Sequence, residues 1–206
     1  MIVLDGRTLT CEALQRVAAG EDVQLAPNAR QRMANNAATS PPAGGVLERK
    51  REWLVGVRAA EMSTREFTRA FVVGHCAGVG EPFPDGVVRA AMAARVNVLA
   101  GGLTGSRPEA AEVLVAMINQ GVHPRVPSQG SVGAAGDLAP LAHIAYVAAG
   151  YGGRVDGLPP YEPTPKEALA LINGSTVTAS LAALAVARTE RVLDRAEEAL
   201  AMVMEA

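Results

Sequence analysis

The sequence predicts a mostly helical protein, and three observations carry that expectation. Of its 206 residues 49% are apolar but only 3% aromatic, so Ala, Val, Leu and Met must supply the core. That composition suits closely packed helices better than a β-sandwich. Helix starts are legible as capping patterns at several points, and the chain from Ser175 to Ala206 is a long Ala- and Leu-rich stretch.

Taken in order, Ile2, Val3 and Leu4 precede an Asp5-Gly6 turn signal and predict a small strand or hairpin. Asn28 to Asn36 reads as a helix and Ala37 to Gly45 (AATSPPAGG) as a loop. Val46 to Ala60 is helical in pattern and heavily charged. Ser63-Thr-Arg-Glu66 is a capping box, in which hydroxyl and carboxylate satisfy orphan amide donors reciprocally, and opens a helix to about Cys76. Asp85 is expected to cap a second helix running to about Ala100. Ser106-Arg-Pro-Glu109 repeats the box and opens a third, ending near Gln120-Gly121. Asp137 is expected to cap the buried helix LAPLAHIAYVAA. Tyr151 to Pro163, rich in Gly and Pro, is a surface loop. Thr164-Pro-Lys-Glu167 is the cleanest box, because Pro165 falls at the first helical position, where its missing N–H costs nothing. After Asn173-Gly174 the final segment should be buried nearly all round in its first half. Its second half, where charges follow Ala187, should have one wet face. The organisation is thus a small mixed region with a divergent loop, 1–62, and a helical region, 63–206, ending in a long bundle helix.

Composition also excludes function classes. A net charge of -2 with no basic run argues against a nucleic-acid surface. Ser175 to Ala187, the longest nearly uncharged helical stretch, is short of the ~20 residues that span a bilayer. The start, MIVLDGRTL, has no basic region before an apolar stretch, so a cytoplasmic protein is expected. Cys11 and Cys76 are too few for a metal cluster and read as reduced thiols; no metal site is expected.

Gly130-Ser-Val-Gly-Ala-Ala-Gly136 is the most informative stretch. Three glycines in seven residues allow backbone angles and close approaches that side chains forbid. One reading is a tight turn entering a core helix. The other is a strained loop at a helix N-terminus, able to hold an anion or drive backbone chemistry.

GSVGAAGDLAPLAHIA closely resembles the signature of the aromatic amino-acid ammonia-lyase and aminomutase family, of which histidine ammonia-lyase is the best-known member. GHCAGVGEPFP (Gly74 to Pro84), Val87 to Glu109, Asn119 to Gly133 and Pro165 to Thr176 resemble further family segments, in the family order. The resemblance implies the N-terminal half of a histidine ammonia-lyase-like helical bundle, of the fumarase/aspartase type, with a small mixed N-terminal part. It also implies assembly, since family active sites combine several subunits.

Family members make an electrophile, methylidene-imidazolone, from an Ala-Ser-Gly tripeptide in this loop. The Gly nitrogen closes a ring on the Ala carbonyl, and loss of the Ser hydroxyl leaves an alkene. The matching residues here are Ala134, Ala135 and Gly136, and Ala135 has no hydroxyl to lose. No methylidene-imidazolone is therefore expected. The family's catalytic Tyr lies in a glycine-rich loop that ungapped counting places near Gly45, yet this chain has no Tyr before Tyr146. Family chains are also much longer.

By the same resemblance His75 matches an active-site wall position and is the candidate acid or base, while Asn173 matches a residue that meets electrophile and substrate. Taken without it, His75 reads as a core or interface histidine and Asn173 as part of an Asn-Gly turn. His143 reads as structural and His123 as a loop residue; Arg89 and Arg95, on one helix, have the charge to hold an anionic group but read first as solvated or inter-helix pairs. Three functions are expected in turn. The first is one subunit of a split, divergent lyase-like enzyme, partnered by a second chain and acting on a small aromatic or acyl substrate. The second is a non-catalytic scaffold or regulatory homologue. The third is an inactivated fragment of an ordinary ammonia-lyase.

Overall fold

The computed structural model describes residues 1–41 and 62–205. The protein is mainly helical. The N-terminal part is a parallel β–α–β unit rather than a hairpin: β1 (Ile2–Leu4) pairs with β2 (Val23–Leu25) in parallel register, Ile2 opposite Val23. The Asp5-Gly6 turn leads instead into helix α1 (Cys11–Ala18), which starts where the Thr10 hydroxyl accepts from the Ala13 amide, 3.1 Å, and buries Leu14 and Val17. Gly6 is required at φ +85°, because a Cβ would stand 2.5 Å from the Gly101 nitrogen. Helix α2 (Pro27–Thr39) runs three residues past Asn36 before the loop begins. The charged segment Val46 to Ala60 lies outside the described residues.

Helix α3 (Thr64–His75) opens with the expected capping box, both Ser63 and Glu66 arms formed. Helix α4 (Asp85–Ala100) is the centre of the fold, packing against α1, α5 (Glu109–Asn119) and α8 (Thr176–Glu205). Its face-to-face small residues, Ala90, Ala91, Ala93 and Ala94, are all buried, which lets neighbouring helices approach closely. Asp85 is the first residue of α4 rather than its cap, and its carboxylate lies 3.4 Å from His123 Nδ1.

The Ser106 box does not form. Helix α5 begins at Glu109 with no side-chain cap, the Ser106 hydroxyl pairs with Thr104, 3.1 Å, and the Arg107 amide donates to Glu167. The Ser106 amide, which the box would give to Glu109, donates instead to the Thr104 hydroxyl at 3.4 Å. Asn119, at the end of α5, clamps β2 by exchanging both bonds with the Val23 backbone at 2.9 Å.

A second two-stranded sheet was not legible in the sequence. β3 (Val79–Pro82) pairs antiparallel with β4 (Pro127–Gln129) and ties the GHCAGVGEP segment to the chain entering the glycine-rich loop. Helix α6 (Leu138–Ala148) is buried on most sides, and α7 (Pro165–Ile172) starts with the complete Thr164–Glu167 box. Helix α8, about 45 Å long, is less buried than expected. One stripe, Val177, Ser180, Ala183, Leu184 and Ala187, meets the core, while Leu181 and Val186 are exposed and everything from Arg188 to Glu205 faces outward.

Candidate functional site

The glycine-rich loop joins β4 to α6, and each of its glycines has positive φ: Gly130 at +139°, Gly133 at +72° and Gly136 at +90°. Two of them are also close approaches. A Cβ on Gly130 would meet Gly78 Cα at 3.0 Å, and one on Gly136 would overlap the Gly174 carbonyl. Gly136 and Gly174 form an isolated parallel bridge, and the Asp137 amide donates to the Gly174 carbonyl at 2.8 Å. Loop and Asn173-Gly174 turn are therefore clasped backbone to backbone.

Asp137 completes the clasp. It precedes α6 but makes no cap to that helix. Its buried carboxylate instead accepts from the Thr178 amide, 2.8 Å, and the Thr178 hydroxyl, 2.7 Å, satisfying the open N-terminus of α8. The Ser131 hydroxyl also donates to it at 3.3 Å. The residues between, Ser131 to Ala135, are exposed.

Of the residues singled out in the sequence, Ala134, Ala135 and Gly136 lie on this loop, and Asn173, exposed at the end of α7, stands beside it through Gly174. His75 reaches the loop indirectly. It ends α3, three residues before the Gly78 that packs on Gly130, and no hydrogen bond joins it to Asn173 or the tripeptide among the described residues. Its ring lies 4.8 Å from Phe71, and Nδ1 is 2.7 Å from the Phe71 carbonyl. A carbonyl can only accept, so Nδ1 carries a proton, and in the neutral ring Nε2 holds the lone pair. The neighbouring Cys76 thiol is pushed up to about 11 by burial and stays protonated.

Two residues placed at this site exceed their sequence reading. His143, on α6, has a buried Nε2 without a partner facing the Gly78 approach, and burial lowers its pKa. Arg95 lies behind Gly174, its Nη1 2.5 Å from where a Cβ of residue 174 would stand. Of its two sequence readings the solvated or paired one does not hold, for it is 3% exposed and its Nε has no partner. Among the described residues no group of three or more His, Cys, Asp or Glu could hold a metal ion. No described helix is long and apolar enough to cross a membrane.

Fold and loop define a class: helical proteins in which a glycine-rich turn is clasped at the N-terminal ends of two core helices. The family model described as "Aromatic amino acid lyase" matches residues 53–206. Histidine ammonia-lyase of Anaeromyxobacter dehalogenans (strain 2CP-C) is 38% identical over 232 residues, covering 99% of this chain and 46% of that protein. Histidine ammonia-lyase of Gloeobacter violaceus is 39% identical, covering 100% and 44%. Among solved structures, tyrosine aminomutase from Streptomyces globisporus superposes with a TM-score of 0.72 at 32% identity, covering 91% of this chain and 39% of that one. Histidine ammonia-lyase from Trypanosoma cruzi gives 0.74 at 28%, covering 93% and 42%. The chain belongs to the aromatic amino-acid lyase family. It spans a little under half the length of these relatives and corresponds to their N-terminal half.

Proposed function

We propose that this chain is one subunit of a split or heteromeric lyase-like enzyme, whose pocket at the glycine-rich loop performs chemistry other than ammonia elimination through methylidene-imidazolone. The observation that carries the reading is a mismatch within one loop. Gly136, Gly174 and Asp137 are held in a costly, closely fitted clasp, yet the central residue of the tripeptide, Ala135, is a methyl-bearing alanine. The residues present do not fit the electrophile: ring closure needs only backbone atoms, but the alkene needs a β-hydroxyl as leaving group, and Ala135 has none. A loop kept in shape without its leaving group supports reuse of the pocket.

In this reading His75 is the acid–base group. Its Nδ1–H is fixed on the Phe71 carbonyl, so Nε2 is the atom that takes a proton from a small aromatic or acyl substrate and returns it. A second polypeptide resembling the relatives' other half completes the pocket. The exposed Leu181, Val186, Leu193 and Leu200 on α8 support this, since apolar side chains of one helix left open to water gain by association.

The test is native mass spectrometry of the protein purified from its own source, followed by turnover assays of whatever assembly is found, with and without His75→Ala. Co-assembly with a second chain, and loss of turnover in the variant with assembly intact, is the expected result. Unchanged turnover in His75→Ala would make the chain a scaffold for an active partner. Finding only self-assembly at the unmodified mass would overturn the split-enzyme reading.

A further inference from the structure

Helix α4 carries two buried arginines, and their surroundings differ sharply. Arg89 is 7% exposed and fully engaged: Nε donates to the Val17 carbonyl at 2.9 Å, Nη1 to Ile118 at 2.6 Å and Nη2 to Glu21 at 3.0 Å. Arg32, whose Nε is also orphaned, still gives two bonds from Nη2, to the Asp5 and Ala100 carbonyls. Arg95 is more deeply buried than Arg89, at 3% exposure, and its Nε has no acceptor. No carboxylate lies within ion-pair distance of it among the described residues.

Burial lowers its pKa to about 10, so at neutral pH it remains a guanidinium cation without a counter-charge. Such a group is expensive: a buried charge is tolerated when paired and hydrogen-bonded, and a methionine of similar length would fill the same space without the penalty. Arg95 is also aimed. Nη1 packs against Gly174, the residue that holds Gly136 and Asp137, and the adjoining Asn173 is exposed. The cation, unpaired among the described residues, therefore lies under the clasp, beside the exposed Asn173.

We propose that Arg95 is a carboxylate-binding residue of this pocket, its planar fork taking two oxygens of a carboxylate presented at the Gly136–Gly174 clasp. The carboxylate comes either from a small organic acid in the pocket or from an Asp or Glu side chain of the polypeptide that covers it. The inference rests on the reading that the pocket opens at this loop. It fails separately from it, since Ala135 plays no part.

The experiment follows the side-chain Nε–H signals of arginine in the ¹⁵N-labelled full chain, assigned by the loss of one signal in Arg95→Met. Sodium acetate is titrated against sodium chloride at constant ionic strength. For a free acid, the Arg95 signal shifts and saturates with acetate while that of Arg89, already bonded to three carbonyls, stays fixed. For a polypeptide source, acetate has no effect and the signal shifts when the protein assembles, with assembly at least tenfold weaker in Arg95→Met. In either case the isolated Arg95→Met chain unfolds at a temperature several degrees higher, because an uncompensated charge has been removed; Arg95→Lys, which keeps the charge but loses the Nε–H signal, confirms the assignment. A signal unmoved by both acetate and assembly, or an Arg95→Met chain less stable than the parent, overturns the proposal. Ammonia release from an Ala135→Ser chain would instead overturn the functional reading and leave Arg95 untouched.

Discussion

The Asp137 carboxylate caps a helix that begins well beyond its own, accepting from the Thr178 amide at 2.8 Å and the Thr178 hydroxyl at 2.7 Å. With Gly136 on one side of it and the Gly174 carbonyl bonded to its amide, this contact fixes the glycine-rich loop to the start of α8. Asp137→Ala removes both bonds and leaves the α8 amides without an acceptor. It should cost about 2–4 kcal/mol, more than an ordinary N-cap, because the carboxylate is buried and charged. Asp137→Asn, which keeps one acceptor oxygen, should lose about half as much. Urea unfolding of the three proteins checks both.

The loop's glycines separate two kinds of requirement. Gly136 and Gly133 both have positive φ, but only Gly136 is packed against backbone. Gly133→Ala should cost about 1 kcal/mol, the ordinary penalty for a side chain in that region. Gly136→Ala must also push Gly174 away, and should cost at least about 3 kcal/mol or open the clasp. Amide hydrogen exchange at Asp137, whose N–H is bonded to Gly174, distinguishes the two: protection survives in the first variant and is lost in the second.

Glu167 is predicted to set the acid limit of stability. Its 1%-exposed carboxylate accepts four bonds, from the Arg107 amide, Nε and Nη2 and from the Thr164 amide, all between 2.7 and 2.9 Å. Burial alone would raise its pKa, but the Arg107 side chain and the two amides outweigh it and hold it below the usual 4.5. A depressed carboxyl pKa gives stability that is fully present above the unfolded value and lost as pH falls through the folded one. Glu167→Gln should therefore lower stability by about 2 kcal/mol at pH 7, and the gap to the parent should close as pH falls below 4.5. Parallel urea curves at pH 7 and in the acid range measure it.

What the sequence disclosed and what it hid follow one division. Local chemistry was readable: the boxes at Ser63–Glu66 and Thr164–Glu167 form as expected, because both partners lie within four residues. The same pattern at Ser106–Glu109 fails, because Thr104 engages both the hydroxyl and the amide of Ser106, while Glu167 holds the next amide from far along the chain. Asp137 looked like a cap for α6 and serves α8, and Ile2–Leu4, legible as a strand or hairpin, is a strand whose parallel partner lies across a helix. At the site, the loop and the Asn173-Gly174 turn were found by motif, but their contact through Gly136 was not. Arg95 was legible as a residue able to hold an anion, but its burial without a partner was not, since that is a property of packing.

Helix α8 carries its core contacts in its first half. Thr176, Val177, Ser180, Ala183, Leu184 and Ala187 are buried, and every described residue after Ala187 is exposed. Replacing Leu193 and Leu200, 57% and 59% exposed, by Gln should thus change the melting temperature of the isolated chain by no more than about 2 °C. The same pair should weaken assembly by at least tenfold, if those side chains are covered in the complex by apolar surface worth about 1.5–3 kcal/mol each. Sedimentation across a concentration series, beside a thermal melt, reads both quantities from one preparation.

Ala135→Ser tests the loop itself. The substitution adds one hydroxyl at an exposed position, so it should fold as the parent does. If the clasp holds Ala134 to Gly136 in a shape that favours ring closure, attack of the Gly136 nitrogen on the Ala134 carbonyl expels one water. Loss of the new serine hydroxyl with the α-hydrogen expels a second. The expected product is a chain lighter by two waters with an ultraviolet band the parent lacks. It should not release ammonia from histidine, phenylalanine or tyrosine, because the chain has no Tyr before Tyr146 to serve as the family's general base. The parent should retain its full mass or fall short by one water at most, since Ala135 closes no alkene. Intact-mass spectrometry and an ammonia assay on the two proteins separate these outcomes: ammonia release would return the chain to ordinary lyase chemistry, with Ala135 as its sole defect.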